Sequence, residues 1–148
     1  MMEKEQSDIH FMRQALLEAH KAAARDEVPV GAVIVSNGQI IARGYNLTET
    51  LNDATAHAEM QAFTSAANFI GGKYLNDCTL YVTVEPCPMC AAASLWVQLG
   101  TIVYGAADSK RGYSTISSKL LHPKTIVRGG VLSDECSSLM SDFFRKKR

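Results

Sequence analysis

Two short stretches of this chain carry residues able to do chemistry together: His57-Ala58-Glu59 and, some thirty positions later, Glu85-Pro86-Cys87-Pro88-Met89-Cys90. Cysteines three apart share one face of a helix, and a thiolate at a helix N-terminus is favoured by the unpaired N–H groups and the dipole there. A histidine two before a glutamate does not face it across a helix. Both could still reach one object beyond a helix start, and a divalent ion is the object these ligand types suit. His57, Cys87 and Cys90 supply three protein ligands, and a three-ligand zinc site keeps a fourth position for water. The competing reading is a closed structural site with a fourth ligand from Cys78, Cys136, His10, His20 or His122. None of these belongs to a second paired motif, so the catalytic arrangement is favoured.

The elements that must position these residues can be read from periodicity. Ile9, Met12, Leu16, Ala19 and Ala23 recur at helical spacing, predicting an amphipathic helix over 7–25 with Asp8 in its first turn. VGAVIVS and QIIARGY flank Asn37-Gly38, the sequence signature of a two-residue hairpin. Residues 56–70 read as a helix stopped at Gly71-Gly72, 80–84 as a strand, 87–99 as a helix and 101–106 as a strand. Strand, helix, strand at these lengths implies a parallel crossover, and helices that follow parallel strands begin at the same sheet edge, where ligands bind. One short turn is expected near SSKLL, a weak last strand in TIVRGGVL, and a final helix capped by Ser133 with Cys136, Leu139, Met140, Phe143 and Phe144 on one face. The expected fold is a three-layer α/β/α sandwich around a mixed five-stranded sheet, residues 1–148 forming a single domain.

With 15 basic and 15 acidic side chains the formal net charge is zero, so a polyanionic partner would need a local patch. The start of the sequence lacks an apolar signal region and no stretch is apolar enough to span a membrane, which leads to the expectation of a cytoplasmic protein. A reducing compartment makes a Cys-x-x-Cys pair a metal or redox site before a disulfide. Cys78 and Cys136 read as small core residues, and His10, His20 and His122 as surface or core residues.

His57-Ala-Glu59 followed by Pro86-Cys-Pro-Met-Cys90 resembles the signature of the zinc-dependent cytidine and purine deaminase superfamily. EVPVGAVIV, the Asn46 region, TAHAEM, TLYVTVEPCPMCA, IVYGA and LSDECSSLMSDFFR are similar to the bacterial tRNA adenosine deaminases, from Glu27 onward. The resemblance implies a cytidine deaminase-like fold, one zinc ion per subunit on His57, Cys87 and Cys90, and Glu59 as a proton shuttle that is not a ligand. It implies that Asn46, the backbone N–H of Ala58 and Asp108 contact the substrate, and that the protein is a homodimer.

The same resemblance implies deamination of the wobble adenosine of tRNA to inosine, with the tRNA anticodon loop as partner. The run Arg145-Lys146-Lys147-Arg148 beside Phe143 and Phe144 could then meet phosphates and stack a base. Two departures from the family pattern are Ala54 in place of a common proline and the segment 111–121, RGYSTISSKLL, in place of a Gly-Ala-Ala-Gly-Ser-type loop expected near the substrate mouth. The alternative substrate is a free nucleobase or nucleoside: guanine first, cytosine or cytidine less so. A non-catalytic partner subunit is a third reading, weakened by the presence of Glu59.

Overall fold

A computed structural model describes residues 3–147. Five strands form one sheet in the order β2-β1-β3-β4-β5, with β1 Gly31–Ser36, β2 Gln39–Tyr45, β3 Cys78–Val84, β4 Thr101–Ala106 and β5 Ile126–Arg128. β1 pairs antiparallel with β2 and β3, whereas β3, β4 and β5 run parallel, so the sheet is mixed as the pattern predicts. The hairpin turn puts both Asn37 (φ 53°) and Gly38 (φ 75°) in the left-handed region, the conformation that an Asn-Gly pair accepts and most residues resist.

Alternate residues of the central strands feed two cores. Ala32, Ile34, Leu80, Val82 and Ile102 pack with α2 (Ala58–Ile70) and α3 (Pro88–Trp96). Val33, Val35, Tyr81 and Val103 face the other way, towards α1 (Lys4–Ala24) and α4 (Ser133–Lys146). This period-two division makes the three-layer sandwich. The start of α2 comes very close to β2: a Cβ on Gly44 would lie 2.5 Å from the Ala58 carbonyl oxygen. Glycine there lets α2 begin over the sheet edge at which β3 ends.

Several boundaries differ from the sequence reading. α1 starts at Lys4 and not Ser7, so Asp8 falls beyond the first turn and is buried. Asp8 takes two hydrogen bonds from Arg128 (2.8 and 2.9 Å) and one from the Tyr81 hydroxyl (2.9 Å), fixing the short β5 to the middle of the sheet. α3 stops at Trp96 because Gln98 turns left-handed (φ 54°) and sends Leu99 back into the core. Ser133 is the first residue of α4 and not its cap; Leu132, also left-handed at φ 54°, stands in the cap position and makes no side-chain bond. The turn near SSKLL is a single short 3-10 helix over Ser118–Leu120, preceded by another at Tyr113–Thr115. Among the described residues, no helix is long and apolar enough to cross a membrane.

Candidate metal centre and substrate cavity

His57 and Cys87 are the cap residues of α2 and α3, both in extended backbone conformation, and neither uses its side chain to cap its own helix. Their side chains are thereby free to turn towards each other. Pro88 at the first position of α3 pre-sets the helical backbone where no N–H partner is needed. Cys90, one turn on, is buried beside them. His57 Nδ1 lies 3.6 Å from the sulfur of Cys87 and 3.6 Å from that of Cys90. A tetrahedral zinc with bonds of about 2.3 Å to sulfur and about 2.1 Å to nitrogen requires a nitrogen-to-sulfur separation of about 3.6 Å. The donor set therefore fits zinc in both chemistry and spacing. Among the described residues these three donors form one group, and no fourth His, Cys, Asp or Glu joins it. Cys78 and Cys136 are buried elsewhere, His10 and His20 are exposed, and His122 accepts from the Lys124 N–H.

The electrostatics of the three groups are interlocked. A hydrogen bond from Cys90 holds the Cys87 thiol down to about 4, helped by His57, while the Cys90 thiol is pushed up by that same bond and by burial. The bond to Cys87 raises His57. Glu59, in the first turn of α2, is buried, and burial pushes its carboxyl up to about 7. A carboxyl in that range can hold and release a proton near neutral pH.

His57, Glu59 and Cys87 line the floor of an open cavity of about 980 Å³. Asn46 and Ala58 line it, Asn46 buried at the end of β2 and Ala58 opening α2, where first-turn N–H groups have no partner within the helix. Asp108 lines it as well, and its Oδ1 accepts from the N–H groups of Lys110 (3.0 Å) and Arg111 (2.9 Å). Six of the seven site residues read from the sequence thus line the cavity, and the seventh, Cys90, is grouped with His57 and Cys87. Of the atypical segment 111–121, only Arg111 lines the cavity. Its Tyr113 and Leu121 are buried in the core below. α4 contributes Met140, Phe144 and Arg145; Phe143 and Lys147 stack away, Lys147 pairing with Asp26, and Arg148 lies outside the described residues. The sequence reading overlooked Glu85, a buried carboxylate on the cavity wall; its one signal was an acidic residue directly after a strand and two before the Cys-x-x-Cys pair.

Residues 5–106 match the family model of the cytidine and deoxycytidylate deaminase zinc-binding region. The tRNA-specific adenosine deaminase of Bacillus subtilis is 45% identical over 93% of this chain and 89% of its own length. This chain belongs to the tRNA-specific adenosine deaminase family. The chloroplastic tRNA(adenine(34)) deaminase of Arabidopsis thaliana is 44% identical over 97% of the chain, which spans only 12% of that longer relative. A structure solved in studies of A-to-I editing by tRNA:A34 deaminases at the wobble position superposes with a TM-score of 0.81, at 41% identity over 88% of this chain and 98% of that one. A guanine deaminase from Bacillus subtilis superposes less well, with a TM-score of 0.67 at 37% identity over 79% of this chain and 71% of that one. Membership of the family makes zinc the resident metal of the deaminase fold, in agreement with the donor geometry.

Proposed function

We propose that the chain, acting as one domain, is a hydrolytic deaminase that converts the wobble adenosine of tRNA to inosine and releases ammonia. The observation that carries the choice of RNA over a free base is the cavity rim. It presents Lys110, Arg111 and Arg145, all exposed, on a protein of zero net charge. A free purine needs no cations at its entrance, whereas a nucleotide within an RNA brings its neighbouring phosphates there. The departure at 111–121 does not oppose this reading, since the segment supports the rim from below and only Arg111 lines the cavity.

His57, Cys87 and Cys90 would hold the zinc, which when bound supplies Lewis acidity that brings the pKa of a water towards neutrality. Glu59 carries two protons in turn, the first from the attacking water to the ring nitrogen and the second from the hydroxyl left on the attacked carbon to the departing amine, for which a carboxyl near neutrality is suited. Asn46 and the Ala58 N–H orient the base by hydrogen bonds to its edge, and Asp108 contacts the nucleotide from the rim. The cytoplasm is the compartment where such a substrate is met. A homodimer is the assembly we favour, since the α2 and α3 layer leaves Phe69 and Trp96 exposed, Trp96 by 78%.

The test is to incubate zinc-loaded protein with an anticodon stem-loop carrying a wobble adenosine and, separately, with guanine, adenosine and cytidine, measuring inosine and ammonia. Inosine at the wobble position is expected, with Glu59→Gln slowing turnover by about 10²- to 10⁴-fold at unchanged zinc content. Ammonia from free guanine with the RNA untouched would overturn the substrate assignment and leave the zinc site standing.

A further inference from the structure

Glu85, the residue directly after β3, carries a carboxylate that is only 5% exposed, and among the described residues no cation pairs with it. A buried charge without a counter-ion persists only where hydrogen bonds replace its lost hydration. All of those bonds come from one loop. The Asp108 N–H donates to Oε1 at 3.2 Å, and the N–H and hydroxyl of Ser114 donate to Oε2 at 3.1 and 2.6 Å. Two backbone bonds frame the arrangement: Glu85 N–H to the Ala106 carbonyl at 2.8 Å and Tyr113 N–H to the Pro86 carbonyl at 2.8 Å. Gly112 completes the fit, because a Cβ there would stand 2.2 Å from Oε2.

Between the two tethered points lie Ser109, Lys110 and Arg111, all on the cavity rim. The Asp108 side chain folds back onto the N–H groups of Lys110 and Arg111, so the segment is a closed turn whose ends meet one carboxylate. That carboxylate sits two residues before Cys87 on the same stretch of chain. Position of the rim is thereby referred to the metal corner through a single side chain.

We propose that Glu85 is a positioning residue, which sets the height of the 108–111 rim over the metal centre and so governs how an RNA substrate is received, without taking part in the chemistry. This inference rests on the RNA reading above. A carboxylate suits the task because both of its oxygens accept. Glutamine would present its amide nitrogen to a donor and leave one N–H unpaired.

The experiment compares Glu85→Gln, Ser114→Ala and Ser114→Thr with wild type in zinc content, amide hydrogen exchange over 108–114, and kcat and KM on the anticodon stem-loop. Glu85→Gln is expected to speed exchange of the loop amides and raise KM about tenfold while kcat stays within about twofold, at full zinc occupancy. Ser114→Ala, at an exposed position, is expected to raise KM about threefold, and Ser114→Thr, which keeps the hydroxyl, to restore it. A fall in kcat at constant KM, a loss of zinc in Glu85→Gln, or faster exchange with unchanged KM would overturn the proposal. Failure of the wild type to convert the stem-loop would instead refute the RNA reading, and exchange would still report on the clasp itself.

Discussion

His57, Cys87 and Cys90 owe their places to two helix starts set on a closed apolar core, whereas Lys110, Arg111 and Arg145 stand on a loop and the last turn of a helix, exposed to water. The metal corner needs no long-range polar device: β3 and the crossover to β4 determine where α3 begins, and Gly44 lets α2 begin beside it. The rim turn is held differently, because residues 108–112 (Asp-Ser-Lys-Arg-Gly) carry no apolar side chain to bury. Two buried carboxylates hold its walls instead, Glu85 beneath 108–114 and Glu27 beneath the 47–53 loop that follows Asn46. Chemistry thus sits on the packed part of the molecule and substrate reception on the hydrogen-bonded part, which predicts that the two can be damaged separately.

The largest separation is expected from His57→Ala. It removes one of three ligands from the metal corner, so zinc should be lost on dialysis and turnover should fall below detection, while the unfolding midpoint of the metal-free protein stays within about 5 °C of metal-free wild type. Metal analysis, activity and thermal unfolding check the three parts. Retained zinc with retained turnover would place the reactive centre elsewhere and dissolve the comparison.

The same division explains what could be read in the sequence. The hairpin, the strand over 101–106, the stop at Gly71 and the cysteine half of the metal corner are local: Asn37-Gly38, an apolar run, a left-handed glycine and a Cys-x-x-Cys at a helix start each carry their own physics over a few residues. Asp8 was read as a first-turn charge serving the helix dipole; its actual partner, Arg128, lies 120 residues away. Glu85 and Glu27 escaped for the same reason, since their donors belong to distant, irregular backbone. Leu132 and Gln98 adopt left-handed conformations that their side chains do not advertise, so the starts and stops of α4 and α3 moved.

An intermediate effect is expected from the rim cations. Lys110→Ala and Arg111→Ala should each weaken binding of the stem-loop severalfold and lower the slope of log affinity against log salt by about one, leaving kcat unchanged. Titrations at several salt concentrations read this directly. An unchanged slope in both variants would mean that phosphates do not cross this rim, and the contrast between chemical floor and electrostatic entrance would have to be redrawn.

The smallest effect concerns Glu27, the second clasp. Its side chain is fully buried, and burial alone would push its carboxyl up; hydrogen bonds from Thr50, Glu49 and Thr48 outweigh this and hold it below the ordinary carboxylate value. The Glu49 N–H reaches Oε1 at 3.0 Å and the Thr50 N–H reaches Oε2 at 2.6 Å. A carboxyl depressed in the folded state adds stability that is fully present above its unfolded value and is lost as pH falls through the folded one. Wild type should therefore lose stability on acidification below the usual carboxylate range. Glu27→Gln, which cannot ionise, should begin about 1–2 kcal/mol less stable at neutral pH and lose less from there downward. Urea unfolding at neutral and acidic pH measures both numbers. Parallel declines in the two proteins would show that the 47–53 loop is held by its own turns, Glu27 contributing shape alone. A convergence at low pH would show that the wall carrying Asn46, like the wall carrying Asp108, is tied down by a buried charge.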